Sequence, residues 1–145
     1  MTRPTRDESM MALARVIAAR STCPRRGVGA VLTDVNGRVL AVAHNGVAMG
    51  EPHCVDHPCG GEGLASGTGL DACAACHAEV NGLLFCADVM RIDTLYVTAS
   101  PCKLCVRYLL NSSCRRIVHG GVYDPAALDR WLAAGRSAVE LKEFN

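Results

Sequence analysis

Residues 94–119 read TLYVTASPCKLCVRYLLNSSCRRIVH, and this stretch decides the fold. Thr94-Leu-Tyr-Val-Thr98 is rich in β-branched and aromatic residues and predicts a strand. Ser100 and Pro101 then take the form of an N-cap and a first helical residue, opening a helix to about Asn111. Arg116-Ile-Val-His119 predicts the next strand. A strand, a short helix and a second strand joined this closely form a parallel crossover. The pattern repeats downstream. Asp124-Pro125 gives another cap signal, Leu128, Trp131 and Leu132 follow at helical spacing, Gly135 closes the helix, and a last strand falls near Val139 to Lys142.

Upstream, Thr5-Arg-Asp-Glu8 is a capping box, and Met10, Leu13, Ala14 and Ile17 mark a helix of about Arg6 to Arg20. Gly29 to Thr33 and Arg38 to Ala43 flank the turn Asp34-Val-Asn-Gly37, which predicts a β-hairpin. His77 to Val89 reads as a helix with Val80, Leu83, Leu84 and Ala87 on one face. Together these elements predict an α/β fold of three layers, α/β/α. Its five-stranded mixed sheet has an initial hairpin and parallel C-terminal strands. The 145 residues suit one domain, residues 1–145, interrupted by an insertion at about 45–76. That insertion holds seven of the fourteen glycines and four of the nine cysteines, with no clear period. A loop so long inside a small domain is functional, disordered or stapled.

Lys plus Arg is 15 and Asp plus Glu 14, a net charge of +1, which argues against a chain that grips nucleic acid or an anionic membrane. Aromatic residues are only 4%, too few for a base-stacking surface. No apolar stretch approaches the ~20 residues that span a bilayer. The opening residues lack the pattern of a secretion signal, so a reducing cytoplasm is expected. In that compartment clustered cysteines point to metal and not to disulfides. Cys86 and Cys114, on apolar-periodic stretches, read as small buried hydrophobes.

Two motifs carry chemistry: His77-Ala-Glu79 at the start of one helix and Pro101-Cys102-Lys-Leu-Cys105 at the start of the next. One histidine and two cysteines are three ligands of a tetrahedral zinc, and three protein ligands leave a fourth position for water. Helix N-termini favour the thiolate form of Cys102 and Cys105. Glu79 is two residues from His77, so on a regular helix the two side chains diverge by roughly 200°. Glu79 is therefore expected beside the metal site and not on it. A rival arrangement pairs Cys73-Ala-Ala-Cys76 with Cys102-Lys-Leu-Cys105, a zinc-ribbon pattern that would make the metal structural and the domain a binding module.

His-x-Glu followed by Pro-Cys-x-x-Cys is the signature of the zinc nucleobase deaminases, and the chain resembles their deoxycytidylate branch in particular. The resemblance runs in order through Cys23 to Ala30, Asn45-Gly46, Pro52-His-Cys54, His77 to Asn81, Tyr96 to Cys105 and Arg115 to Val118. It implies a cytidine-deaminase-like fold and the hydrolysis of dCMP to dUMP and ammonia, supplying dUMP for thymidylate synthesis. Zinc on His77, Cys102 and Cys105 would activate a water for attack on C4, and Glu79 would move the protons. The backbone of Ala78 and Cys102 would orient the pyrimidine edge, Asn45 would contact the sugar, and Tyr123 would lie near the substrate. Arg25 and Arg26 are the candidate cations for a phosphate.

The resemblance further implies a second, structural zinc, for which Cys23 and Cys54 match best and Cys59 and Cys73 complete the set. His53, His57 and Cys76 are substitutes. A metal with four ligands could also supply the order that a Gly-rich loop lacks. The resemblance also implies a hexamer, the common assembly of the family, and in some relatives the loop after the asparagine helps bind a dCTP activator and a dTTP inhibitor. Here that loop reads Gly46-Val-Ala-Met-Gly50 without the usual Pro-Arg, and Gly82 replaces a usual alanine, which leaves such control open. Met10, Trp131 or loop residues are candidates for an interface of a homo-oligomer. Deaminases of deoxycytidine, dCTP or 5-substituted dCMP, and of adenosine in tRNA, share the zinc motifs and remain rivals.

Overall fold

The computed structural model describes residues 2–61, 63–65 and 74–143. The order of elements is α1 (Arg6–Ala18), β1 (Gly29–Thr33), β2 (Val39–His44), α2 (Ala78–Phe85), a 3₁₀ turn (Val89–Arg91), β3 (Thr94–Val97), α3 (Lys103–Leu110), β4 (Arg116–His119), α4 (Pro125–Ala133) and β5 (Ser137–Glu140). The strands form one sheet in the order β2-β1-β3-β4-β5. β1 runs antiparallel to both β2 and β3, whereas β3, β4 and β5 are mutually parallel. The predicted mixed sheet, with a hairpin first and parallel crossovers after it, is the one observed.

Alternation along the strands divides the core. On one face Met11 and Ala14 of α1 pack on Val31, Tyr96 and Val118. On the other, Leu32, Leu95, Val97 and Ile117 lie under Ala78 of α2, Val106 and Leu109 of α3, and Trp131 of α4. The helix-on-sheet contact of α1 is tight at Gly29, where an added Cβ would lie 1.9 Å from the carbonyl oxygen of Ala14. The Thr5–Glu8 capping box is present at the start of α1. Asp124 caps α4 by accepting from the Ala127 amide, with Pro125 as the first helical residue.

Five expectations need correction. Helix α2 is shorter than His77 to Val89, because the backbone is extended at Cys86 and Asp88 then caps a separate 3₁₀ turn by accepting from Met90. Its buried face is Ala78, Glu79 and Gly82, while Leu84 is 72% exposed, so the apolar stripe proposed from spacing points largely outward. Helix α3 is capped at Cys102 and not at Ser100, since the bonds of Ser100 go to the segment after β4. Trp131, a candidate interface residue, is fully buried and donates from Nε1 to the Ser137 carbonyl at 2.8 Å. The last strand also begins earlier than expected, at Ser137.

Candidate active site

The site is built at one edge of the sheet, where β3 ends and the N-termini of α2 and α3 converge. His77 occupies the N-cap of α2, Cys102 the N-cap of α3, and Cys105 the first turn of α3. The local folding reason is the extended backbone at both caps, with ψ of 150° at His77 and 173° at Cys102, which turns these side chains back toward the sheet edge. His77 Nδ1 lies 3.5 Å from Cys102 Sγ and 3.3 Å from Cys105 Sγ. Around a tetrahedral zinc with bonds of about 2.0 to 2.3 Å, neighbouring ligand atoms sit about 3.5 Å apart, so the three donors fit that ion.

Among the described residues, His77, Cys102 and Cys105 are the set of three or more such side chains close enough to hold a metal, with all ligand atoms within 4.8 Å. Cys76 is not in the set. Its backbone instead pairs with Gly46, closing the two ends of the insertion on each other. The ribbon arrangement of Cys73 and Cys76 with Cys102 and Cys105 therefore loses to the one containing His77, and Cys73 itself lies outside the described residues.

Within the set the three groups differ in proton affinity. Cys102 is pushed down to about 4, mainly by the hydrogen bond from Cys105 and further by His77, against the opposing effect of burial. Cys105 is pushed up by holding its proton toward the Cys102 thiolate and by burial. His77 is raised above its ordinary value by its bond to Cys102. Zinc takes its cysteine ligands as thiolates and its histidine ligands through an unprotonated ring nitrogen, so binding here competes with protons for the same donor atoms.

Glu79 lies beside the set and outside it. It is 5% exposed, and its Oε2 lies 3.7 Å from Cys105 Sγ. Burial raises its proton affinity above that of an ordinary carboxylate. A buried carboxylate placed beside a metal set is suited to take up a proton and pass it on.

The cavity over this centre is lined by Arg25, Arg26, Asn45, Ala78, Glu79, Ser100 and Tyr123 as well as by Cys23, His77 and Cys102. Every substrate-contacting candidate from the sequence is brought to it. Asn45 is buried and already engaged. Its Oδ1 accepts from the Val28 amide at 2.8 Å and its Nδ2 donates to the Arg26 carbonyl at 2.7 Å. Arg26 stacks on Tyr123, its guanidinium carbon 4.2 Å from the ring centroid. Arg25 Nη2 donates to the Ala65 carbonyl of the insertion at 2.6 Å.

Sequence reasoning missed two residues. Asn81 donates from Nδ2 to the His44 carbonyl at 2.9 Å, tying α2 to the end of β2; it stood in the motif but had been given no job. Ser100, taken for a helix cap, lines the cavity.

For the second metal set, Cys23, Cys54 and Cys59 are not drawn into one cluster of three among the described residues. Cys54 is 2% exposed, and its neighbour His53 bonds through Nδ1 to Thr22 Oγ1 at 2.8 Å, so the chain at 53–54 runs beside the chain at 22–23.

A three-donor metal set with an adjacent buried carboxylate, at the edge of an α/β sheet, defines a metal-dependent site for water activation. The model for the cytidine and deoxycytidylate deaminase zinc-binding region matches residues 4–121. The chain is 37% identical over 125 residues to the deoxycytidylate deaminase of Mycobacterium phage D29, covering 82% of this chain and 97% of that protein. It is 34% identical to the deoxycytidylate deaminase of Schizosaccharomyces pombe, covering 98% of this chain and 45% of that one. In fold it is similar to the dCMP deaminase of cyanophage S-TIM5 solved with dCMP and dUMP, with a TM-score of 0.77, 23% identity, and coverage of 97% of this chain and 100% of that one. The chain belongs to the cytidine and deoxycytidylate deaminase family and is a zinc-dependent hydrolytic deaminase.

Proposed function

We propose that the chain hydrolyses dCMP to dUMP and ammonia, with residues 1–145 acting as one catalytic domain. The observation that carries this reading is the buried Glu79 carboxyl against the His77, Cys102 and Cys105 set, in a cavity that also holds two arginines. His77, Cys102 and Cys105 hold the zinc, which when bound lowers the pKa of water toward neutrality. Glu79 takes a proton from the attacking water and places it on ring N3. The water oxygen bonds to C4, Glu79 carries the remaining proton of the new C4 hydroxyl to the exocyclic amine, and the C4–N bond breaks as C4=O forms, releasing ammonia. Ala78 and Cys102 present backbone groups to the pyrimidine edge. Asn45, whose Oδ1 and Nδ2 each make one bond to the chain, keeps a second lone pair and a second N–H for the sugar. Tyr123 walls the cavity, and Arg25 and Arg26 supply charge for the phosphate.

A panel of dCMP, dCTP, deoxycytidine, CMP and 5-substituted dCMP, assayed for ammonia release, tests the substrate. dCMP should give the highest kcat/KM. Equal turnover of deoxycytidine contradicts phosphate recognition, and a higher value for dCTP or a 5-substituted nucleotide moves the assignment to that substrate.

The reading extends to a second, structural zinc on Cys23, Cys54, Cys59 and Cys73. The adjacency of residues 22–23 and 53–54 supports it. Metal analysis of the purified chain should return two zincs, and a value of one removes the staple. Assembly into a hexamer, activation by dCTP and inhibition by dTTP follow from kinship with the family. Light scattering tests the first, and titration of dCMP turnover with each nucleotide tests the others. No helix among the described residues is long and apolar enough to cross a membrane. A cytoplasmic enzyme supplying dUMP for thymidylate synthesis completes the reading, and fractionation of cells with labelled chain checks its place.

A further inference from the structure

Ser100 lines the cavity, two residues before Cys102. It precedes Pro101 as a helix cap would, yet it caps no helix. Its side chain is buried, at 2% exposure, and its bonds run to the segment that follows β4. The Ser100 amide donates to the Gly121 carbonyl at 2.9 Å, and Ser100 Oγ accepts from the Tyr123 amide at 2.8 Å. These two bonds close a ring between the strand end that leads to Cys102 and the segment that carries Tyr123. The same segment passes close to the strand end at Thr98, where a Cβ on Gly120 would lie 2.5 Å from the carbonyl oxygen.

Tyr123 in turn holds Arg26. The guanidinium lies over the ring at 4.2 Å, while the Arg26 carbonyl is fixed by Asn45 Nδ2 at 2.7 Å. Arg26 is therefore held at its backbone by Asn45 and at its head by Tyr123. Arg25 differs, because its guanidinium is bonded to the Ala65 carbonyl of the insertion. We propose that Ser100 is a positioning residue for the anionic tail of the substrate, setting Tyr123 and, through Tyr123, the Arg26 guanidinium. The proposal rests on the reading above that the substrate is a nucleoside monophosphate. Replacing Ser100 by alanine leaves the Tyr123 amide without its acceptor, so the segment shifts to recover a bond and the stacked arginine moves with it.

Steady-state kinetics of the wild type, Ser100→Ala, Arg26→Ala and the double variant, with dCMP and deoxycytidine, test this. Ser100→Ala should raise the KM for dCMP about tenfold, with a smaller fall in kcat, and lower the preference for dCMP over deoxycytidine by a similar factor. The double variant should be no worse than Arg26→Ala alone, because both changes disable one device. Ser100→Thr, which keeps the hydroxyl, should restore the preference. Penalties that add in full overturn the proposal, as does a loss confined to kcat, which would place Ser100 with the metal set. If Ser100→Ala does not fold, Tyr123→Ala carries the same test, since its loss of preference must also be absorbed by Arg26→Ala. A wild type with no preference for dCMP overturns the substrate reading and this proposal together; a wild type with the preference and a Ser100→Ala that keeps it overturns this proposal alone.

Discussion

At the scale of single residues, two carboxyl groups, Glu79 buried and Asp7 part-exposed, show how surroundings set proton affinity. Among the described residues no cation is bonded to Glu79, and burial pushes it toward the protonated form. Asp7, at the other edge of the sheet, is held below the ordinary carboxylate range by its bonds to Arg116, with help from the Tyr96 hydroxyl, which donates to it at 2.8 Å. Its stabilising effect is complete above the unfolded pKa near 4 and is lost as pH falls through the lower folded value. Asp7→Asn should therefore destabilise the protein at pH 7, and its gap from the wild type should narrow below pH 4. Urea unfolding at pH 7 and pH 3 reads this, and a gap that widens in acid contradicts it. The partner Tyr96 is raised to about 12, chiefly by burial, so stability also falls between pH 10 and 12 as the unfolded chain ionises first.

At the scale of elements, the close approach of α1 to β1 sets the sharpest demand. Gly29→Ala would drive a methyl into the Ala14 carbonyl, and backbone cannot yield as a side chain can. A loss of about 2 kcal/mol or more is expected in thermal or urea unfolding, and a neutral effect would mean that α1 is not seated as described. Gly82 is the milder case, since its added Cβ would meet Leu32 Cδ1 at 3.3 Å. The strands and α4 were legible in the sequence, because β-branched runs, the Asn36-Gly37 turn and the Asp124-Pro125 cap are local signals. The ends of α2 and α3 were not. Leu83 and Leu84 have helical spacing, but the sheet takes the Ala78, Glu79 and Gly82 side, where small residues let α2 approach Leu32 and Ala43. Ser100 failed as a cap for a non-local reason, its bonds to a loop that is 21 to 23 residues away in sequence. The metal set was legible because three ligands and a carboxylate sit in two short motifs at helix starts. The Arg26–Tyr123 stack was not, since its partners lie 97 positions apart in the chain.

At the scale of the molecule, the mixed topology explains why the site has the composition it has. β3 and β4 deliver their C-terminal ends to one edge of the sheet, the usual place for a ligand in an α/β fold. Because β1 runs against β3, the start of β1 and the end of β2 reach the same edge, adding Arg25, Arg26 and Val28 before the first and Asn45 after the second. The insertion between β2 and α2 returns there as well, pinned by the Gly46–Cys76 bridge. The opposite edge holds the Asp7–Arg116 and Asp93–Arg115 pairs, so structural ion pairs and catalytic groups are kept apart. The account turns on Glu79 moving protons at a metal that it does not hold. In Glu79→Ala, zinc content per chain should equal that of the wild type while dCMP deamination falls at least about a hundredfold. Wild-type turnover in that variant, or loss of zinc along with activity, would contradict the assignment.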